Sequence, residues 1–441
     1  MSTLPIRDLF IEIKPRSGAG ESNILKLWTK ESEILKTTTT KIIGEIANRK
    51  LEDIQEQAAR LLGTSPDRSL LREVGKFLFE FLPSSISSFI QHEYELVKED
   101  QQILGLKIVS KDPGSIDLPW ELLYITPQEE FLALHPNASI IRYVPVPTSS
   151  PPLIVEPPLR IVFVLTNPKD ERLMRADEEL NAIKGTIDNM SSFQTDVLWE
   201  PTLEAFRKKL VEIQPHIIHY IGHGGIGRGE GNLILHDSLD KTYWLSPTEL
   251  STILPPTVLL LCLSTCFTSR NYQIQAFNRL GQTWGQYNLP SMVVNQFPLS
   301  REGVSVFWRE FYSTLREAGE LMTSIKRSRQ EVAQSHPLSV DWASFVLHLR
   351  SPSDKLFSYI PPEITTRRAI NRTELSMERR KVKALEIQIN SLTSILNNLK
   401  MQVSNFDNPP AGLQKAIEGT EKRHYDLLSE LRSVKASLVP G

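Results

Sequence analysis

From Leu159 onward the chain alternates short β-branched runs with helical stretches of roughly 10 to 15 residues, and this alternation constrains the fold more than any other feature. The runs are LRIVFVL, FQTDVLW, HIIHYIGHG, TVLLLCL, SMVVNQ and SFVLHL. Helical patterns stand between them at Asp177 to Ile187, Thr202 to Ile213, after Ser246, around Tyr272 to Gly281, and from Arg301 to Leu315. Such an order predicts an α/β fold, with βαβ units building a mostly parallel sheet flanked by helices. Reactive residues in sheets of this kind collect at the carboxyl ends of strands.

Two further regions flank that core. Residues 1–150 open with a strand pattern at Leu9 to Ile13, show helical periodicity from Glu31 to Leu62 and from Arg68 to Glu99, and return to strands at Ile103 to Val109 and Ser139 to Val146. A stretch with six prolines, Pro145 to Pro158, reads as a linker or an edge crossing, because proline cannot continue a helix or a central strand. It separates residues 1–150 from a second region, 151–360. Residues 366–441 differ again: Val382, Leu385, Ile389, Leu392, Leu396 and Leu399 recur at steps of three and four, an a/d seam. Pro409-Pro410 stops that helix, and a second seam runs from Leu413 to Leu438, which predicts an antiparallel helical hairpin. Thr420 and His424 interrupt the second seam as polar core positions of the kind that select register and partner. The seams are longer than two helices need to cover each other, so the hairpin is expected to meet another protein or a second copy of the chain.

Composition excludes several function classes. The 441 residues carry 50 Lys+Arg against 52 Asp+Glu, too balanced for the electrostatic footprint of general nucleic-acid binding. The longest apolar run, Val258 to Leu263, is far shorter than the roughly 20 residues of a bilayer span, and the first residues lack a secretory pattern. The two cysteines, Cys262 and Cys266, share one segment and cannot staple the chain, so a reducing, cytoplasmic setting is expected. No His or Cys pair has zinc-ligand spacing, and neither metal nor cofactor is expected. Gly222, Gly224 and Gly227 spell G-x-G-x-x-G, but Arg228 to Asn232 reads as loop leading into a strand rather than the helix start that a dinucleotide requires.

The densest chemistry lies at two strand ends. His223, between glycines at the end of HIIHYIGHGG, is the candidate base. Cys266, where TVLLLCLSTC leaves its strand, is the candidate nucleophile. A free thiol is only a few per cent thiolate at neutral pH and gains from an adjacent imidazole. Backbone N–H groups of Gly224 and Cys266 would be natural oxyanion donors. The same spacing also suits a buried structural cysteine and a loop histidine, and spacing alone does not decide. Cys262, within the apolar run, reads as an inert core thiol, and His216 and His219 as structural histidines.

At these residues the chain resembles the CHAT family, prokaryotic caspase-like proteins of the clan that includes separases. The blocks that carry the resemblance are LPWELLY (Leu118 to Tyr124), LRIVFVL with Asn167-Pro168, HIIHYIGHGG, LLLCLSTC, VVNQFP (Val293 to Pro298) and WASFVL (Trp342 to Leu347), over about residues 1–360. The resemblance implies a caspase-like fold with a non-catalytic amino-terminal half, and a catalytic dyad at His223 and Cys266. It also implies a substrate pocket at Ser264, in the Asn167 to Arg172 loop and at Gln296. Ser264 and Gln296 are neutral, so no demand for an acidic P1 residue is expected, and Asp170 admits a basic one. Cys266-Phe267-Thr268 departs from the polar residues that often follow the family's cysteine.

The implied function is a cysteine endopeptidase that cleaves a protein partner as an effector of prokaryotic antiviral defence or programmed cell death. Its tail, residues 366–441, would recruit a regulatory protein or a second copy, with no nucleic-acid or membrane partner. The alternative is a non-enzymatic adaptor that keeps the fold and acts through the tail.

Overall fold

The apolar runs of the second region are strands whose two faces are both covered, and this is why they lack polar alternation. In the computed structural model the described residues are 6–15, 22–30, 41–47, 68–110, 118–144, 153–155, 158–169, 176–188, 192–227, 230–267, 289–297, 299–337, 339–351, 354–355, 357–359 and 410–438, with isolated helical positions at 53, 56 and between 382 and 403. The chain divides into two units, Met1–Tyr359 and Ile360–Gly441.

The first unit begins with β1 (Ile6–Pro15), β2 (Ser22–Lys30) and β3 (Lys41–Ala47), followed by α1 (Arg68–Phe81) and α2 (Ser84–Glu99). Next come β4 (Ile103–Ser110), the short pair β5 (Tyr124–Ile125) and β6 (Glu130–Phe131), β7 (Ala138–Tyr143) and β8 (Leu153–Val155). The alternating region supplies β9 (Leu159–Leu165), α3 (Ala176–Ile187), β10 (Phe193–Trp199), α4 (Leu203–Ile213) and β11 (Ile217–Gly227). It continues through β12 (Glu230–His236), β13 (Thr242–Leu245), α5 (Pro247–Ile253), β14 (Leu260–Phe267) and β15 (Ser291–Asn295). The unit closes with α6 (Arg301–Ala318), α7 (Leu321–Ser335), α8 (Asp341–Ser344), β16 (Phe345–Leu349) and β17 (Phe357–Tyr359).

One mixed sheet runs β10-β9-β11-β14-β15-β16-β7-β4-β1-β2-β3, and β12 and β13 form a ribbon off β11. The central pairings β10·β9, β9·β11, β11·β14 and β14·β15 are parallel, as are β16·β7, β7·β4 and β4·β1. Residues 1–150 and 151–360, distinct as sequence patterns, thus share one sheet. The ladder that joins them is short among the described residues, with β16 and β7 in register at Arg142↔His348 and Tyr143↔Leu349, while side chains such as Gln296 and Arg329 also reach across to Glu121 and to the Ile140 carbonyl.

Strand parity sorts the core. Ile161 and Phe163 of β9, Ile217 and Ile221 of β11, and Cys262 of β14 pack with Ile183 of α3 and Trp308 and Tyr312 of α6. Val162, Val164, Ile218, Tyr220, Leu261 and Leu263 face the other way, onto Phe206 and Leu210 of α4 and Leu250 of α5. Each fully buried Leu, Ile, Val or Phe contributes about 1.5–3 kcal/mol, so either layer outweighs any surface contact. Helix ends are set by local chemistry: Ser300 caps α6 by accepting from the Gly303 N–H, and Gly319 closes it in the left-handed conformation at φ 66°.

Three expectations need correction. Helical periodicity over Glu31 to Leu62 gives way at Lys41–Ala47 to a strand. Ile42, Ile43 and Ile46 are β-branched and β2 offers an antiparallel partner, so tertiary pairing overrides the local pattern. The single periodic stretch Arg68 to Glu99 is two helices, divided at Pro83, which has no N–H to continue the first. Glu230 to Asn232, read as loop, belongs to β12, and Gly224↔Leu233 through Gly227↔Glu230 form an antiparallel ribbon. No helix follows the glycines, which removes the dinucleotide reading. The expected helix around Tyr272 lies outside the described residues.

In the second unit, α9 (Ala411–Leu438) follows Pro410, and helical positions recur between 382 and 403. Thr393 Oγ1 lies 3.0 Å from His424 Nε2 and Lys400 Nζ 2.7 Å from Glu421, so later residues of one segment meet earlier ones of the other, as in an antiparallel hairpin. Leu385, Ile389 and Leu396 are buried, whereas Ile395 and Tyr425 are exposed. No helix among the described residues is long and apolar enough to cross a membrane.

Candidate active site

β11 and β14 run parallel in register from Ile217↔Leu260 to Gly224↔Phe267, and one of their last Cα pairs is His223↔Cys266. Adjacent strands lie roughly 4.8 Å apart, so the two residues stand side by side at the carboxyl ends of neighbouring strands. Two side-chain repeats lower, on the same face, the same residue types recur as His219↔Cys262. That lower pair is sealed. Burial pushes the Cys262 thiol up, against the opposing effect of its hydrogen bond with Tyr312, and burial lowers His219 to about 3. His219 Nδ1 lies 2.8 Å from Tyr312 Oη, and its ring packs against Trp308 with centroids 4.4 Å apart. A neutral imidazole beside an un-ionised thiol is a structural pair, as expected for Cys262 and His219.

His223 is held through its main chain. Tyr220, on the opposite face of β11, places its hydroxyl oxygen 2.6 Å from the His223 carbonyl and 2.7 Å from the Ile234 carbonyl, either of which can accept its one proton, and Thr166 Oγ1 lies 2.8 Å away. Gly222 leaves the space for this: a Cβ there would stand 2.1 Å from Thr166 Oγ1 and 2.7 Å from the Tyr220 oxygen. The glycine therefore serves close packing behind the histidine, not a phosphate cradle. The loop after β9 is fastened by His236, whose Nε2 accepts from the Asn167 N–H at 3.1 Å while Nδ1 lies 2.6 Å from Asp240.

Glu200, His236 and Asp240 are also the one group among the described residues whose ligand atoms lie as close as a metal would need. Both His236 nitrogens are already engaged, and Asp240 pairs with Lys169 at 2.8 Å. The group reads as a loop clasp.

The residues expected at a substrate pocket have different fates. Ser264 shares its register with Ile221, is buried, and hydrogen-bonds Glu179 of α3. Gln296 is wholly buried, and its amide donates to Glu121 at 2.9 Å and to the Ala343 carbonyl at 2.8 Å, which places it in an ion cluster rather than in an open pocket. Asp170 lies outside the described residues. Gly224 is flanked by Phe267 on β14 and Leu233 on β12.

Glu179, which sequence reasoning missed, has a consequence for stability. Burial raises its carboxyl to about 7, with the Ser264 hydrogen bond opposing the rise. Its folded value stands above the unfolded one, so its stabilising contribution is complete below about pH 4.5 and is lost as the pH rises through about 7. Glu179→Gln does not titrate. The stability difference between variant and natural chain is therefore expected to shift in the variant's favour by roughly 3 kcal/mol between about pH 4.5 and pH 8. Urea unfolding across that range checks it, and a pH-independent difference would contradict the burial of this carboxyl.

A mostly parallel α/β body in which a histidine and a cysteine end neighbouring central strands is of the caspase-like class. The CHAT domain model matches residues 73–350, well over half of the chain, and the chain belongs to the CHAT domain family, which is related to caspase-like proteases. A search of curated proteins finds no match to it.

Proposed function

We propose that the chain is a caspase-like cysteine endopeptidase with Cys266 as nucleophile and His223 as general base. The observation that supports this most is the shared register of the two residues at the ends of β11 and β14. In the proposed cycle His223 takes the Cys266 proton, and the thiolate attacks the scissile carbonyl. N–H groups of Gly224 and Cys266 receive the oxyanion, and His223 returns the proton to the departing amine. Water then hydrolyses the thioester, with His223 again as base. The substrate is a protein, cut in the cytoplasm as a step of antiviral defence or programmed cell death, and residues 366–441 bring in a regulatory protein or a second copy.

The test is cleavage of a proteome-derived peptide mixture, read as new amino termini by mass spectrometry. New termini are expected with the natural chain and none with His223→Ala. A natural chain that produces none, while still binding partners through its tail, would favour the adaptor reading.

A further inference from the structure

The backbone ladder between β14 and β15 ends early, at Cys262↔Val293, three residues before Thr265 and four before Cys266. On that side the strand end carrying the nucleophile has no backbone partner among the described residues. A side chain takes its place. Asn295 Oδ1 accepts from the Thr265 N–H at 3.0 Å and from the Thr265 hydroxyl at 3.0 Å. Asn295 Nδ2 donates to the Thr265 carbonyl at 3.0 Å and to the Phe297 carbonyl at 3.2 Å. These partners fix the amide's orientation, since a flip would set N–H against N–H and oxygen against oxygen.

Asn295 is wholly buried, and all four of its hydrogen-bonding positions are filled. Its carboxamide gives Thr265 what a neighbouring strand's peptide group would, one acceptor and one donor. On the other side Thr265 pairs with Gly222, next to His223. The residue before the nucleophile is thus held from both flanks, by β11 and by Asn295. We infer that Asn295 is a positioning residue that completes the missing ladder and keeps Cys266 at the register of His223; the inference rests on the cysteine-peptidase reading. Neither leucine nor aspartate serves as well: leucine fills the volume without polar groups, and an ionised aspartate accepts but cannot donate. A displacement of about 1 Å at a reacting group costs on the order of a hundredfold in rate, so the loss of the clamp should register in the chemistry.

The experiment is the pH dependence of Cys266 alkylation by iodoacetamide in the full chain, with tandem mass spectrometry separating it from Cys262. In the natural chain the reaction should persist well below pH 8, because an imidazole-paired thiolate ionises below a free thiol. His223→Ala should restore an ordinary thiol profile. Asn295→Leu should move the profile in the same direction, with at least a tenfold lower rate near pH 6 and a rate near pH 9 within about threefold of the natural one. Asn295→Asp, which keeps both contacts to the Thr265 donors, should fall between. A folded Asn295→Leu with the natural profile overturns the inference.

Hydrogen exchange on the natural chain needs no variant. The Thr265 amide should be as slow as the ladder amide of Leu261, and fast exchange there also overturns the clamp. A natural chain with an ordinary thiol profile, unchanged by His223→Ala, would instead overturn the dyad and leave Thr265 exchange to judge Asn295.

Discussion

Exchange of Cys266 for alanine is expected to lower peptide cleavage by on the order of 10⁴-fold or more, while Cys262→Ser leaves the rate constant for cleavage within a few fold of the natural chain. The contrast is informative because the two cysteines lie four residues apart on one strand, each in register with a histidine. Only position along the strand separates the pairs. The lower thiol is wholly buried, hydrogen-bonded to Tyr312 and raised in pKa by its surroundings, so it stays protonated. Cys262→Ser puts a hydroxyl into that apolar layer and should cost about 1–3 kcal/mol of stability without touching the chemistry. Single-turnover kinetics beside denaturant unfolding separate the effects. An inactive but fully stable Cys262→Ser with an active Cys266→Ala would reverse the assignment.

Glu121→Gln is expected to destabilise the protein by about 3–5 kcal/mol, the largest stability effect of any single polar substitution proposed for this chain. Glu121, from the LPWELLY block, is fully buried and accepts from Arg142 at 2.7 Å and Gln296 at 2.9 Å, with Arg329 3.7 Å away. The two arginines also donate to carbonyls: Arg142 to Leu118, and Arg329 to Ile140 and Phe345. Removing the one carboxylate leaves two guanidinium groups facing each other in a medium that does not solvate them. Burial, only partly offset by Glu121, already lowers Arg329 to about 10. Thermal melting of the natural chain and Glu121→Gln would measure the loss. A triple change of Glu121, Arg142 and Arg329 to apolar residues of similar volume should recover most of it, because desolvation of the ions is removed along with their attraction. Equal melting of Glu121→Gln and the natural chain would mean that the cluster is wet.

The strand-helix alternation was readable because it reflects a local rule: strands covered on both faces must be apolar throughout. LRIVFVL beyond Arg160 and LLLCL obey it, and His223 and Cys266 are conspicuous because they stand where such runs end, whereas His219 inside β11 is a polar side chain that the core accommodates beside Tyr312. What lay hidden depends on chain segments meeting from afar. Lys41–Ala47 became a strand because β2 was available to pair with it, which no window of sequence reports. Glu179 looked like an ordinary acidic residue in the first turn of a helix, and only packing under β14 raises its carboxyl. Asn295 and Gln296 were equally visible in VVNQFP. Successive residues on an extended chain point to opposite sides, so one clasps Thr265 and the other joins Glu121, and nothing in the motif says which does which.

The two-pair junction between β16 and β7 bears on how the protein is made. On the ribosome, β1, β4 and β7 emerge first and can assemble among themselves, and β9, β11, β14 and β15 follow. The strand that joins the two groups, Phe345–Leu349, is the last of the sheet to leave the exit tunnel, and it pairs antiparallel with β15 on one side and parallel with β7 on the other. Until then the nascent chain carries raw edges on β15 and β7 that β16 covers in the finished sheet, and unpaired edges recruit chaperones or other chains. Fragments ending before Phe345 would leave the β15 and β7 edges without this strand and are therefore poor stand-ins for the protein.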